Sequence, residues 1–131
     1  MNTKRSNSAE IYERQARICK AFAHSARLRI LDRLGNGELA ASDLQEQLGL
    51  SKTNISQHMA LLKSAGVLST RREGKQIYCS LAMPEVKQAC QLIRKVLENQ
   101  ISESNRLIEK SGTPVNERPK EATVTNRRMN I

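Results

Sequence analysis

Aromatic residues are scarce in this chain of 131 residues, which has no tryptophan, two tyrosines and one phenylalanine. Proteins that bind single-stranded nucleic acids, and many that bind RNA, stack the bases on aromatic side chains. Tyr12, Phe22 and Tyr78 are far apart in the sequence and provide almost no such platform. Among nucleic acids, double-stranded DNA is therefore the partner that the composition favours.

Long apolar runs are also missing. No stretch approaches the roughly 18 residues that a membrane-spanning helix needs, and the start MNTKRSNSAE lacks the apolar segment of a signal peptide. The three cysteines, Cys19, Cys79 and Cys90, are an odd number at wide spacing, which does not fit a disulfide framework. The sequence thus predicts a cytoplasmic protein that has no membrane partner and keeps its cysteines as thiols.

Acidic residues are in the minority, since 22 Lys and Arg face 13 Asp and Glu, for a formal net charge of +9. Such a basic chain favours an anionic partner. We find no combination of nucleophile, base and orienting acid in its motifs, and no glycine-rich phosphate loop. We therefore expect a protein that is not an enzyme and binds no cofactor. The length fits one modest domain with irregular ends.

Apolar residues at helical spacing predict a series of helices in the first half of the chain. The first helix is predicted from Ser8, which can cap its start. The second begins at Ser25 and ends at the GNG run of residues 35–37. A short third helix follows, with Ser42 and Gln45 matching a capping box and with a glycine at its stop.

A fourth helix follows the third after only a few residues, which is the spacing of a helix-turn-helix. Ser51 can cap this helix, which is predicted to run to Ala65 and to stop at Gly66. Two β-rich runs then surround Gly74, as in a hairpin with that glycine at its tip. A hairpin directly after the second helix of the motif is a wing.

Pro84 suits the first turn of a long last helix. The predicted domain covers residues 8–110, between disordered ends at 1–7 and 111–131. The apolar stripe of the last helix consists of Val86, Cys90, Ile93, Leu97 and Ile101.

The chain closely resembles the ArsR (arsenic-repressor) family of winged helix-turn-helix regulators over residues 9–100. The resemblance lies in the order of the elements and in three motifs, ARLRILDRL, LGLSKTNISQHMALLKSAGVL and RREGKQIYCSL. It implies a fold that is mainly α with a small β-hairpin wing. It also implies a bacterial or archaeal homodimer, joined through its first and last helices, which represses a promoter until a chemical signal releases it.

A helix that enters the major groove needs short hydrogen-bonding side chains, and the fourth helix carries a face of that kind. Free amides at its start favour phosphate contacts. The resemblance implies that the wing contacts the DNA backbone or the minor groove. The predicted DNA contacts are Ser51, Lys52, Thr53, Ser56, Gln57 and Lys63 in the fourth helix and Arg71, Arg72 and Lys75 in the wing.

The two histidines have different expected roles. His58 lies at the edge of the apolar face of the fourth helix, where the resemblance places a histidine. A DNA contact and a packed imidazole are both open for it. His24 lies in the turn before the second helix, where a structural role is expected.

The metal sites usual in the ArsR family are not expected. The family's arsenic and cadmium site needs cysteines in a stretch like ELCVCDL, because thiolates bind soft ions. The matching stretch here is ELAASDL, with Ala40 and Ala41 at the two ligand positions. The family's zinc, cobalt and nickel site uses Asp, His and Glu of the last helix, but residues 85–110 contain no His or Asp.

The cysteines leave two readings open. All three can be small packed side chains, and Cys79 shares a strand face with apolar residues. Alternatively, the family's packing of first against last helix brings Cys19 near Cys90, where two thiols can form a disulfide or polysulfide bridge or capture arsenite. Cys79 is then a conceivable third arsenic ligand. The inducer hypotheses are reactive sulfur or an oxidant first, and arsenite second.

Two further classes of function remain open beside the regulated repressor. One is a winged-helix module that binds only proteins, although the basic wing argues against it. The other is an architectural DNA-binding or RNA-binding protein with little sequence preference and no small-molecule signal, which the net charge alone would allow.

Overall fold

Five helices and three short strands make up the described part of the chain. The computed structural model describes the backbone of residues 3–111 and the side chains of 7–110. The elements are α1 (Thr3–Phe22), α2 (Ser25–Leu34), β1 (Leu39–Ala40), α3 (Ala41–Leu48), α4 (Lys52–Ser64), β2 (Leu68–Glu73), β3 (Gln76–Leu81) and α5 (Pro84–Ser111). The predicted class, mainly α with a β-hairpin wing, is confirmed.

Helix α1 begins earlier than the sequence indicates. It starts at Thr3 instead of Ser8, so the segment 3–7, predicted as disordered, is helical and Ser8 lies inside the helix. This segment contains neither proline nor glycine, so it holds no residue that strongly opposes a helix. The tail predicted as disordered from residue 111 lies outside the described residues, except for Ser111, which ends α5.

Helix α2 begins at Ser25, as predicted, and His24 caps it. The Nδ1 atom of His24 accepts a hydrogen bond from the backbone amide of Ala26 at 3.1 Å. This contact confirms the structural role expected for His24. The helix ends at Leu34, directly before the GNG run.

The capping box predicted for α3 is wrong. Ala40 precedes the helix and makes no side-chain cap. The Ser42 hydroxyl lies instead 3.4 Å from the side-chain oxygen of Gln76 in the wing, to which it donates. The cause is strand β1, which was not predicted from the sequence because it is only two residues long. Leu39 and Ala40 pair with β3, and the helix begins directly afterwards at Ala41.

The turn between α3 and α4 has the predicted residues in the predicted roles. Gly49 ends α3 with φ of 66°, a left-handed conformation that costs glycine nothing. The Ser51 hydroxyl accepts a hydrogen bond from the amide of Asn54 at 3.1 Å and caps α4. Helix α4 ends at Ser64, one residue before the predicted end.

The three strands form one antiparallel sheet in the order β1-β3-β2. Strands β2 and β3 form the predicted wing, joined by Gly74 and Lys75, and Gly74 has φ of 62°. A positive φ at the first of two turn residues is typical of tight hairpins. In β1, Leu39 lies opposite Cys79, so this strand anchors the wing beside the start of α3.

Helix α5 begins at Pro84, as predicted. The chain divides into two compact units within this helix, the first ending at Lys87 and the second beginning at Gln88. Among the described residues, no helix is long and apolar enough to cross a membrane.

The core of the first unit joins α2, α3 and α4 to the wing. Each helix supplies apolar residues three or four positions apart, which places them on one face. The larger apolar side chains buried in these elements are Ile30, Leu31, Leu34, Leu44, Leu48, Ile55, Met59, Leu62, Leu68 and Cys79.

Leu62 and Leu61 offer a matched test of this core, because they are the same residue type at adjacent positions of α4. Leu62 has 0% exposure and Leu61 has 37%. We expect Leu62→Ala to lower the free energy of unfolding by about 2–5 kcal/mol, since it leaves a cavity. Leu61→Ala should cost less than about 1 kcal/mol. Urea denaturation measures both, and equal losses would contradict this assignment of the core face.

Candidate nucleic-acid interface

Helix α4 has two chemically different faces. Its apolar face, Ile55, Met59 and Leu62, is buried. Four exposed polar side chains of α4 are Lys52, Thr53, Ser56 and Gln57. Thr53, Ser56 and Gln57 turn away from the core because they are out of phase with the buried positions in the 3.6-residue repeat. Lys52 is exposed in the first turn, three residues before Ile55. This exposed set is called the polar face of α4 below.

The two ends of α4 carry groups suited to phosphates. At the start, the Ser51 hydroxyl accepts a hydrogen bond from one backbone amide, that of Asn54. The first turn of a helix has further amides without intrahelical partners, and these favour anions. Near the end, the Lys63 ammonium donates a hydrogen bond to the Thr70 hydroxyl of β2 at 2.9 Å. An ammonium has three donors, so Lys63 ties α4 to the wing and retains donors for a phosphate.

Arg71 is engaged within the protein. Its guanidinium donates to both carboxylate oxygens of Glu38, at 2.7 and 2.9 Å, and to Glu73 at 2.6 Å. It also lies over the ring of Tyr78, 4.4 Å from the ring centre. These hydrogen bonds hold the pKa of Glu38 below its usual value and raise that of Arg71. Arg71 therefore braces the wing against the segment before β1.

Arg72 and Lys75 are the exposed cations of the outer wing. Lys75 lies in the turn itself, whereas Arg72 lies in β2 opposite Ile77. Arg71, predicted to lie with them at the tip, is further back, opposite Tyr78. The outer wing thus presents two cations that the structure does not pair with carboxylates in its described part.

His58 lies on the side of α4 that meets the junction of α1 and α2. Its Nδ1 atom is 3.4 Å from a guanidinium nitrogen of Arg27, and its ring centre is 4.6 Å from that of His24. Partial burial, followed by the charges of His24 and Arg27, holds the pKa of His58 below its usual value of 6.5. Of the two roles left open for His58, this geometry favours the packed imidazole.

The three cysteines lie in different surroundings. Cys79 is fully buried in β3, with its sulfur 3.7 Å from that of Met59, which agrees with the core position read from the strand pattern. Burial, and secondarily the charge of Glu38, raises the pKa of its thiol to about 11. Cys19 is exposed on α1, and Cys90 is half-buried on α5.

Comparison with known proteins places this chain among transcriptional regulators. A family model described as a helix-turn-helix domain matches residues 22–71. Rv0081 of Mycobacterium tuberculosis, an HTH-type transcriptional regulator, is 36% identical over 107 residues, 78% of this chain and 90% of the relative. The transcriptional activator HlyU of Vibrio cholerae is 35% identical over 60% of this chain and 73% of its own. The repressor SdpR of Bacillus subtilis is 42% identical over 49% and 71%.

Solved structures give the same result for the fold. The homodimeric winged helix-turn-helix domain of Mb0332 from Mycobacterium bovis, a possible ArsR-family regulator, aligns with a TM-score of 0.69 and 32% identity, over 73% of this chain and 89% of that one. The crystal structure of Rv0081 aligns with a TM-score of 0.67 and 34% identity, over 72% and 95%. The chain belongs to the ArsR family.

The metal sites usual in ArsR proteins have no counterpart at the matching positions. Ala40, one of the two positions that cysteines would occupy, is the buried residue before α3, and Ala41 is the first residue of that helix. In the part of the chain that the structure describes, no three His, Cys, Asp or Glu residues are grouped so as to hold a metal ion.

Sequence reasoning missed two residues that contact members of the candidate interface. Arg27 is 9% exposed, and its position three, four and seven residues before Ile30, Leu31 and Leu34 places it on the buried stripe of α2, a signal that was available. Glu38 had no such signal. Its contact with Arg71 joins residues 33 positions apart and depends on the sheet.

Cys79 provides a test of the buried site. A pKa near 11, against an ordinary 9.0, lowers the thiolate fraction at neutral pH about a hundredfold. We expect iodoacetamide to leave Cys79 almost unmodified in the folded protein and to alkylate it readily in guanidinium chloride. Peptide mass spectrometry measures both states, with the denatured sample as the control. Rapid alkylation of Cys79 in the folded state would contradict its assignment to the core.

Proposed function

We propose that this protein is a homodimeric transcriptional repressor that binds a partly palindromic DNA operator and is released from it by a chemical signal. The polar face of α4 is the observation that carries the proposal. Short hydroxyl and amide side chains can approach base edges in the major groove without clashing with the sugar–phosphate backbone on either side. Two copies of α4 would read half-sites about one helical turn apart, roughly 34 to 36 Å.

Exposed apolar side chains support the homodimer. Helix α1 exposes Ile11 at 62% and Tyr12 at 69%, and helix α5 exposes Leu92 at 67%, Ile93 at 49% and Val96 at 56%. Apolar side chains at helical spacing on a small basic protein favour association through those helices. The M. bovis domain is homodimeric, which supports a homodimer for this chain as well.

The direction of regulation is proposed as repression. A dimer that occupies an operator blocks a promoter without any further contact, whereas activation requires a surface for the transcription machinery. Relatives include both a repressor and an activator. A reporter driven by the protein's own promoter distinguishes the two: deletion of the gene should raise expression, and a fall would overturn repression.

Thiol chemistry at Cys19 and Cys90 is the signal that we propose, with reactive sulfur or an oxidant as the inducer. Hydrogen peroxide would take two electrons and two protons from the two thiols, leave as water, and create a disulfide. Cys79 does not fit this role, because its buried thiol has a raised pKa and contacts Met59. The same burial counts against the alternative, an arsenite sensor that uses all three cysteines.

An architectural DNA-binding protein without a signal is the second candidate, favoured by the net charge of +9. Affinity for the protein's own promoter and for a scrambled duplex of equal length separates the two candidates. A specific repressor should prefer its promoter by about 10³-fold or more at moderate salt. Equal affinity would overturn sequence-specific repression in favour of the architectural role.

Arg72 and Arg71 provide matched variants for the wing. We expect Arg72→Ala to make the dependence of log affinity on log salt less steep by up to about 1.8, because each subunit loses one phosphate contact worth about 0.9. Arg71→Ala should change this slope much less, since Glu38 and Glu73 already hold its guanidinium. Fluorescence anisotropy at several salt concentrations measures both. Equal changes would show that Arg71 leaves the carboxylates for DNA.

Release by thiol chemistry is tested with Cys19→Ser and Cys90→Ser. We expect polysulfide or hydrogen peroxide to release the wild-type protein from operator DNA, because both reagents act on thiols, and to leave both variants bound. Electrophoretic mobility shifts measure release, with Cys79→Ala as the control that keeps the response. Arsenite forms a separate arm of the experiment. A full response in both serine variants would end the proposal for thiol sensing.

A further inference from the structure

Arg27 joins three helices through one buried guanidinium. Its Nε atom donates to the backbone oxygen of Ala21 at 2.7 Å, and one Nη donates to that of Lys20 at 3.2 Å. The other Nη lies 3.4 Å from Nδ1 of His58. The side chain starts in the first turn of α2, so it connects the last turn of α1 to the middle of α4.

The chemistry of these groups decides which one donates and which one accepts in each hydrogen bond. The last carbonyls of a helix lack intrahelical partners and carry partial negative charge, which suits a cation. Arginine keeps its charge and has only donors. Towards Arg27, His58 can therefore act only as an acceptor, with its ring proton on Nε2 and no charge on the ring.

A protonated His58 would break this arrangement. Its Nδ1 would then be a donor facing the donors of Arg27, and two cations would lie in contact. The titratable or charged groups that face His58 in the described residues are Arg27 from α2 and His24 from the turn before it. From α1 the contacts with Arg27 are backbone oxygens, and no carboxylate is among the groups that shift the pKa of His58.

We propose that Arg27 is a positioning residue for DNA recognition, which fixes the rotation of α4 against the end of α1 through the uncharged ring of His58. Ser56 and Gln57 directly precede His58, so a rotation of the helix at His58 moves the polar face of α4. Acidification below the usual histidine pKa of 6.5 should therefore weaken operator binding. This inference rests on the proposed function.

The protein has only two histidines, which allows a matched pair of variants. In His58→Asn, the amide oxygen lies close to the place of Nδ1, so the acceptor remains but no longer titrates. His24→Asn keeps an acceptor that can cap α2. We expect wild-type and His24→Asn proteins to keep their operator affinity at neutral pH and to lose it as the pH falls below about 6.5, and His58→Asn to hold its affinity nearly constant over the same range. A constant affinity in His24→Asn, or a wild-type loss in His58→Asn, would overturn the proposal.

Arg27→Lys tests the bridge itself, because it keeps the charge and loses the fork of donors. We expect operator affinity at about pH 8 to fall about tenfold, the size of one hydrogen bond to a charged group, with unchanged circular dichroism. Wild-type affinity in this variant would overturn the role of Arg27. If Arg27→Lys fails to fold, His58→Asn still decides the proposal.

A measurement without DNA separates this inference from the proposed function. In free wild-type protein labelled with ¹⁵N, the amide signals of Ser56 and Gln57 should shift with pH. The midpoint of this shift should equal the midpoint of the protonation of the His58 ring. In His58→Asn they should stay in place. If these amides titrate but no promoter duplex binds at any pH, the proposed function fails and the coupling stands. If they do not follow His58, the coupling fails whatever the DNA result.

Discussion

The burial of one face of α4 is the constraint on which the candidate interface depends. Ile55, Met59 and Leu62 recur at steps of four and three, so once they enter the core the helix has one rotational setting. A rotation by one residue would bury hydroxyl or amide groups without partners, which is costly. The packing that stabilises the first unit therefore also decides which side chains of α4 face outward.

The contacts around α4 differ in energy and hence in role. Removal of a buried leucine costs about 2–5 kcal/mol, whereas an exposed ion pair contributes little because water and salt screen it. The bonds of Arg71 to Glu38 and Glu73 are exposed, so they hold the wing in place but contribute little to the stability of the fold. The hydrogen bond from Lys63 to Thr70 joins that wing to α4. Helix α4 and the wing are thus held together by contacts within the protein itself.

The sequence predicted those features that depend on local chemistry. Gly49 and Gly74 occupy left-handed positions, and Ser51 caps α4, because a turn or a helix start restricts the residue types that fit it. Strand β1 was not predicted, since two residues carry no periodicity and pair only through the distant β3. The prediction of a capping box at Ser42 was wrong for the same reason, because the pairing of β1 is followed directly by the start of α3 at Ala41. The contacts of Arg27 were not predicted, because its guanidinium joins α2 to α1 and α4, and these helices meet only in the folded chain.

The most direct test of the account is an NMR titration of ¹⁵N-labelled protein with a duplex that contains its own promoter site. If the polar face of α4 enters the major groove, the amides of Lys52, Thr53, Ser56 and Gln57 should show the largest shifts, followed by that of Lys75 in the wing. Those of α5 should move less. Largest shifts on α5, with α4 unchanged at saturation, would contradict the account.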